Sequence, residues 1–213
     1  RLIAHHATDG GTQVFADIRG HTIEYTVGAP GVHWVRNSLA VLAAVDAIGA
    51  NLELAAQAMA DVEPGPGRGT KITVHTAAGP IVVIDDSYNA NPASVRAALE
   101  VLGGHLGGRR ILALGDMGEL GSQTQSLHAE LADAISTASV DLVFTVGTHT
   151  RALESILPAN LRGGHFETSG VAAPEIAEAI RAGDTILVKG SNAVGMGDVV
   201  RALVALKVSG GHH

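Results

Sequence analysis

Cysteine is absent from these 213 residues, which excludes disulfides, thiolate nucleophiles and cysteine-ligated zinc at the outset. Charge is sparse: 16% of residues are Asp, Glu, Lys or Arg, and the 14 basic ones are scattered through a chain of net charge −7. Neutralising a nucleic-acid backbone needs clustered Lys and Arg, so a general nucleic-acid binder is excluded and small-molecule partners are expected. Long apolar runs are also missing. Runs such as Ile81 to Ile84 and Asp141 to Val146, the latter with a single leading charge, are strand-sized and far short of a membrane span, and no signal-peptide pattern opens the chain. A cytoplasmic location is the expectation. The 11 histidines include none in an H-x-x-x-H or His/carboxylate spacing, so no metal site is expected.

What is present is 46% hydrophobic residues, enough for one large core or two modest ones. The chain opens on Arg1-Leu2-Ile3 rather than Met, which reads as a piece of a longer protein. Residues 209–213, Ser-Gly-Gly-His-His, read as the stub of an affinity tag.

Residues 13 to 28 alternate apolar and polar around Arg19-Gly20 (Val14, Ala16, Ile18; Ile23, Tyr25, Val27), the pattern of a hairpin with one wet face. From Val32 to Gly49 the period becomes helical, with Val35, Leu39, Leu42 and Ala43 on one stripe, and a second helix follows over about Leu52 to Ala60. Pro64-Gly65-Pro66-Gly67-Arg68-Gly69 packs three glycines and two prolines into six residues, a composition that precludes regular structure and marks a hinge.

Beyond it strands and helices alternate. Strands are expected over Lys71 to Thr76, Ile81 to Asp85, Arg110 to Leu114, Asp141 to Val146, His165 to Glu167 and Thr185 to Lys189. Helices are expected over Pro92 to Leu102, Thr124 to Thr137, Thr150 to Leu157, Pro174 to Arg181 and Met196 to Leu206. Asn91 is placed to cap the first of these, with Pro92 at its first position, and Ser122-x-x-Gln125 has the form of a capping box. Short apolar strands between amphipathic helices predict an α/β, Rossmann-like domain with a mostly parallel sheet covered on both faces.

In such sheets ligands gather beyond the carboxyl ends of the strands. Three polar segments fall there: Asp85-Asp86-Ser87-Tyr88-Asn89-Ala90-Asn91-Pro92, Gly115-Asp116-Met117-Gly118-Glu119-Leu120-Gly121, and Lys189-Gly190-Ser191-Asn192. Any one alone is most simply a polar loop whose Asp or Asn caps a helix. Three on one edge favour a site. Gly190 to Gly197 has the glycine spacing of a P-loop, but Met196 and Gly197 stand where Lys and Ser/Thr are required, and the Gly115, Gly118, Gly121 spacing is not a dinucleotide fingerprint. His128 and His149 read as helix-surface residues. Arg68 is by default a solvated charge, yet a guanidinium flanked by glycines can approach a phosphate closely.

The segment from Asp85 to Pro92 resembles the opening of the C-terminal domain of the D-alanyl-D-alanine-adding Mur ligases. Gly31-Val32-His33-Trp34-Val35-Arg36-Asn37-Ser38-Leu39-Ala40, Gly67-Arg68-Gly69, Gly115 to Gly121 and Val188-Lys189-Gly190-Ser191 agree with that family in order and spacing. The resemblance covers the chain apart from its tail. It implies that residues 1–66 are the end of a central ATP-binding domain, a partial α/β fragment, and that 67–208 are a complete C-terminal Rossmann-like domain.

The same resemblance implies an ATP- and Mg2+-dependent ligase that joins D-alanyl-D-alanine to UDP-muramoyl tripeptide through an acyl phosphate. By position it assigns Asn37 to adenine, Arg68 to the ATP phosphates and Asp86 to the ribose hydroxyls, with Arg68 and Lys189 as catalytic groups. Asp85, Asn89, Asn91 and Ser191 are assigned to the dipeptide and acyl-phosphate side. Trp34 departs from the family's usual Asn, and Val194-Gly195 lies where some members carry Arg. No P-loop occurs in these 213 residues, so the chain alone is expected to be inactive and to bind neither ATP nor Mg2+ tightly, and its exposed surfaces could pair two copies. The alternatives are another amide ligase of the superfamily, such as the folylpolyglutamate type, and a non-catalytic nucleotide- or peptide-binding module with the ligase fold.

Overall fold

A computed structural model of the protein describes residues 1–8, 11–29, 31–63 and 65–208; the tag-like tail lies outside them. The chain divides into two compact units, Arg1–Pro64 and Gly65–His213. Among the described residues no helix is long and apolar enough to cross a membrane.

The first unit is an antiparallel sheet of β1 (Leu2–Thr8), β2 (Gly11–Ile18) and β3 (His21–Val27), followed by α1 (Val32–Ala47) and α2 (Leu52–Ala58). Ile18 pairs with His21 across a two-residue turn, in which Arg19 and Gly20 both have positive φ (51° and 93°). That is the turn geometry whose twist suits a hairpin. The third strand, β1, was not expected, because Leu-Ile-Ala-His-His-Ala-Thr carries no clean alternation and is half-buried at best. The α1 stripe also differs: Val35, Ser38 and Leu42 are buried while Ala43 is exposed. At 3.6 residues per turn Ala43 lies about 80° around the helix from Val35, at the margin of the buried arc. Ser38 is tolerated inside because its Oγ donates to the Val35 carbonyl at 2.8 Å, which leaves the Tyr25 hydroxyl to donate to Ser38 Oγ at 2.8 Å.

In the second unit β4 (Thr70–Thr76) and β5 (Gly79–Asp86) precede α3 (Pro92–Gly103), β6 (Arg110–Gly115), α4 (Thr124–Ala129) and α5 (Leu131–Thr137). Then come β7 (Leu142–Val146), α6 (Arg151–Ile156), β8 (Arg162–Phe166), α7 (Ser169–Ala179), β9 (Thr185–Lys189) and α8 (Gly197–Ala205). The six strands lie in the order β4-β5-β9-β6-β7-β8, with β4 antiparallel to β5 and the others parallel. This is the α/β architecture with a mostly parallel sheet that the pattern predicts.

The chain moves one way across the sheet from β5 to β8 and then returns to insert β9. Right-handed crossovers therefore put α3, α5 and α6 on one face and α7 on the other, where α8 joins it. Alternation along each strand feeds both layers: Ile111 and Ala113 pack with Ile176, Val199 and Leu203, whereas Leu112 and Leu114 pack with Val95, Leu99, Leu131 and Leu153.

Three local expectations need correction. The helix expected over 124–137 divides at Glu130, whose ψ of −12° departs from the helical value. Ser122 makes no capping bond; residues 121–123 form a 3-10 turn instead, and Thr124 Oγ1 donates to the Gly121 carbonyl at 2.7 Å. The helix expected to begin at Pro174 begins at Ser169, capped by Thr168, and carries Pro174 in its interior. Pro174 and Gly170 are both exposed, so the carbonyl that loses its partner to the proline is left to water.

Candidate functional site

All five parallel strands end on one edge, and the three polar segments singled out in the sequence meet there. Asp86, the last residue of β5, is the register partner of Lys189, the last of β9, and Lys189 pairs in turn with Leu114 of β6. The lysine side chain is only 2% exposed. Its Nζ donates to Asp86 Oδ2 at 2.6 Å and to the Asn89 carbonyl at 2.9 Å, so a buried ammonium is both neutralised and hydrogen-bonded, as burial requires.

The neighbouring Asp85 points to the other side of the strand and turns the loop. Its Oδ1 accepts from Ser87 Oγ at 2.6 Å and from Ser87 N at 3.2 Å, and its carbonyl accepts from Gly69 N at 2.8 Å. Asn89 Oδ1 accepts from Ala90 N at 2.9 Å. Asn91 caps α3 in a reciprocal box, its Oδ1 accepting from Ser94 N and its own N–H donating to Ser94 Oγ.

The Gly67-Arg68-Gly69 stretch is stitched to this loop: Tyr88 N donates to the Gly67 carbonyl at 3.0 Å, and the exposed Arg68 guanidinium lies 4.1 Å from the Tyr88 ring centroid. Gly67 has a φ of 72°, and a Cβ on it would come within 2.9 Å of Tyr88 N. Only glycine allows that approach.

The loop after β6 is organised by two residues to which the sequence assigns no ligand role, Asp116 and His128. Asp116 ties three strand ends together. Its N donates to Val146 O, its carbonyl accepts from Ser191 N at 2.8 Å, and its carboxylate accepts from His149 N and from Thr150 N at 2.7 Å. Ser191, 7% exposed, thereby sits against this loop, with a Cβ built on Gly118 falling 3.7 Å from its own Cβ.

His128 corrects its reading as a surface residue, for it is fully buried. It belongs to a stripe at i, i+3, i+7 and i+10 with Leu131, Ile135 and Ala138, all buried, a spacing that the sequence carries but that a titratable member disguises. Burial holds its pKa below the usual histidine value, against the opposing pull of the Thr124 carbonyl and the Asp116 carboxylate. His149 is exposed, as read, but precedes α6 rather than lying on a helix.

Of the residues expected to act, Arg68, Asp85, Asp86, Asn89, Asn91, Lys189 and Ser191 all lie in the second unit around this edge. Asn37 is exposed on α1 in the first. No group of three or more His, Asp or Glu among the described residues could hold a metal ion.

Residues 67–192 match the family model described as the Mur ligase, glutamate ligase domain. The chain belongs to the Mur ligase family. The chain is 34% identical over 200 residues to the UDP-N-acetylmuramoyl-tripeptide--D-alanyl-D-alanine ligase of Escherichia coli K12, across 93% of this chain and 43% of that protein. With the Mycobacterium tuberculosis H37Rv enzyme of the same name it shares 33% identity, covering 85% of this chain and 40% of the relative. A crystal structure of MurF from Acinetobacter baumannii superposes with a TM-score of 0.80 at 25% identity, over 96% of this chain and 44% of that one. The chain thus spans less than half the length of these Mur ligases.

Proposed function

We propose that this chain is part of an ATP-dependent amide ligase that adds D-alanyl-D-alanine to UDP-N-acetylmuramoyl-tripeptide in the cytoplasm, its second unit supplying one wall of the substrate site. The observation that carries this reading is the convergence of Asp86, Lys189 and Ser191 on the strand-end edge of a chain 34% identical to a ligase of that name.

The roles follow from what each group can do. Asp86, paired with Lys189 at the strand end, is a carboxylate, the acceptor type that vicinal ribose hydroxyls call for. Arg68, exposed and stacked on Tyr88, presents forked donors that suit phosphate oxygens. Ser191 serves the side where the acyl phosphate and the incoming amine meet; Lys189, buried against Asp86 and the Asn89 carbonyl, is assigned to that side by the family resemblance and acts there by holding Asp86 and the Asn89 loop in place. Asp85 and Asn89 shape that wall, and Asn91 orients the helix behind it. Asn37, exposed on α1 of the first unit, is assigned to adenine by the family resemblance alone. ATP would supply the phosphoryl group that activates the tripeptide carboxylate. Among the described residues no group of three or more His, Asp or Glu offers a magnesium site.

Two assays test the reading. The complete protein encoded by the reading frame that holds this chain should release phosphate only when ATP, UDP-muramoyl tripeptide and D-alanyl-D-alanine are all present, and Asp86→Ala should abolish that release. The 213-residue chain, which holds no Walker A segment, should release none. Phosphate release by the complete protein without the dipeptide would refute the ligase reading; turnover by the 213-residue chain would refute its inactivity.

A further inference from the structure

His128 is the one fully buried histidine among the described residues, and both of its ring nitrogens are committed. Nδ1 lies 2.6 Å from the Thr124 carbonyl, and Nε2 lies 2.9 Å from Met117 N. A carbonyl can only accept and a backbone N–H can only donate, so the proton must sit on Nδ1 and the lone pair on Nε2. The ring is therefore neutral and in one tautomer. A proton added at Nε2 would set N–H against N–H.

The bond falls at a sensitive place. Met117 is the middle of the polar loop after β6. Its side chain is buried among Leu114, Leu131 and Leu153, and its N–H is held by a helix that starts seven residues further on. On one side of Met117, Asp116 gives its carbonyl to Ser191 N; on the other, Gly118 faces the Ser191 side chain. Glu119 and Gly121 then turn the chain through positive φ (60° and 59°), so nothing local fixes the loop in a regular ladder. The titratable groups that act on His128 are the Asp116 carboxylate, which favours its protonation, and His149, 6.0 Å away between ring centroids, which opposes it.

We propose that His128 is a positioning residue: its neutral imidazole clamps Met117 and so sets the Gly115–Gly121 loop against Ser191, making that wall of the site proton-sensitive. The clamp itself stands on geometry alone; its consequence for ligand rests on the reading of Ser191 as lying on the dipeptide side.

The test uses the 213-residue chain. Long-range nitrogen–proton NMR of the histidine ring should show Nδ1–H with an unprotonated Nε2 at neutral pH, and the Met117 amide should exchange slowly. Corrected for intrinsic exchange, that protection should fall as His128 takes up its second proton. His128→Gln can accept from Met117 and donate to Thr124 without titrating, so it should keep the protection and lose its pH dependence. His128→Leu fills the same apolar space without an acceptor and should lose protection at every pH.

An Nε2–H tautomer, or a Met117 amide equally protected in the Leu variant, would overturn the proposal; if the Leu variant does not fold, the tautomer and the Gln variant's pH profile decide. D-alanyl-D-alanine, titrated in and followed at the Ser191 amide, should bind the Leu variant about tenfold more weakly than wild type, the scale of one buried donor left unpaired. An unchanged affinity in that variant overturns the positioning role. No response in the wild type refutes the dipeptide assignment of Ser191 and, with it, the ligand consequence, while the clamp is decided by the amide data.

Discussion

Lys189 and Asp86 are register partners on adjacent parallel strands, and the ammonium of one lies 2.6 Å from the carboxylate of the other. Their exposures are unequal: 2% for the lysine side chain and 22% for the aspartate. This asymmetry decides which half of the pair is costlier to orphan. Asp86→Ala strands an ammonium that water cannot reach and should cost about 3–5 kcal/mol, the usual penalty for breaking a buried pair. Lys189→Met leaves a carboxylate that can hydrate and should cost less. The double variant should be more stable than the sum of the two single losses. Urea unfolding of the four proteins checks the order, and equal single losses would show that the exposure difference does not govern it.

His128 gives stability a defined pH dependence. Its folded pKa is lowered by burial, so between the folded value and the unfolded value of about 6.5 the unfolded chain binds more protons. The stability contributed by neutral His128 is therefore complete above about pH 6.5 and is lost as pH falls from there toward the folded pKa. His105 and His165, also lowered mainly by burial, act with the same sign. Wild type should show a urea midpoint that drops between pH 7.5 and 5.5, and His128→Gln should reduce that drop while leaving the share of the other two. An identical drop in the variant would remove His128 from the account.

The sheet was legible because its strands are short apolar runs, and the edge was legible because polar residues follow each of them. From β5 to β9 the alternation of strand and helix along the chain is legible, but which strands become neighbours is not. What was hidden were residues whose chemical type disguised their place. His128 completes a helical stripe with Leu131, Ile135 and Ala138, but a titratable side chain does not announce that two backbone partners will satisfy it. Asp116 lies in a segment singled out for chemistry, and its use in joining β6, β7 and β9 depends on a strand order that interleaves β9 between β5 and β6, which local pattern cannot supply. The strand β8 was placed late because Arg162-Gly163-Gly164 has no strand-like side chains; it pairs with β7 through backbone alone at its start.

Asn91 separates a capping role from a ligand role. Its Oδ1 is taken by Ser94 N at 2.9 Å, so Asn91→Ala should destabilise the chain by about 1 kcal/mol, within the ~0.5–2 kcal/mol range for such caps. Asn91→Asp can accept the same N–H and should restore the stability. If the dipeptide response at Ser191 survives in the Asp variant, Asn91 acts on the site only through the helix it caps; if stability returns but the response does not, the side-chain amide is itself a ligand contact.

Asp116 and Gly147 test the joint between β6 and β7. The carboxylate holds the His149 and Thr150 amides, and Gly147, at φ 105°, is so close that a Cβ would fall 2.5 Å from the Asp116 carboxyl group. Asp116→Ala should cost about 2–3 kcal/mol, since charge-assisted bonds are lost and the buried Thr150 amide is left without an acceptor, and exchange at that amide should accelerate. Gly147→Ala carries two penalties, a backbone conformation that L residues rarely adopt and the collision with Asp116. Asp116→Ala removes the second, so Gly147→Ala should be less destabilising in that background than in wild type. Because the remaining backbone strain is common to both backgrounds, the difference isolates the collision. Strictly additive losses in urea unfolding would mean that the two side chains do not meet and that the joint is held by the strand ladder alone.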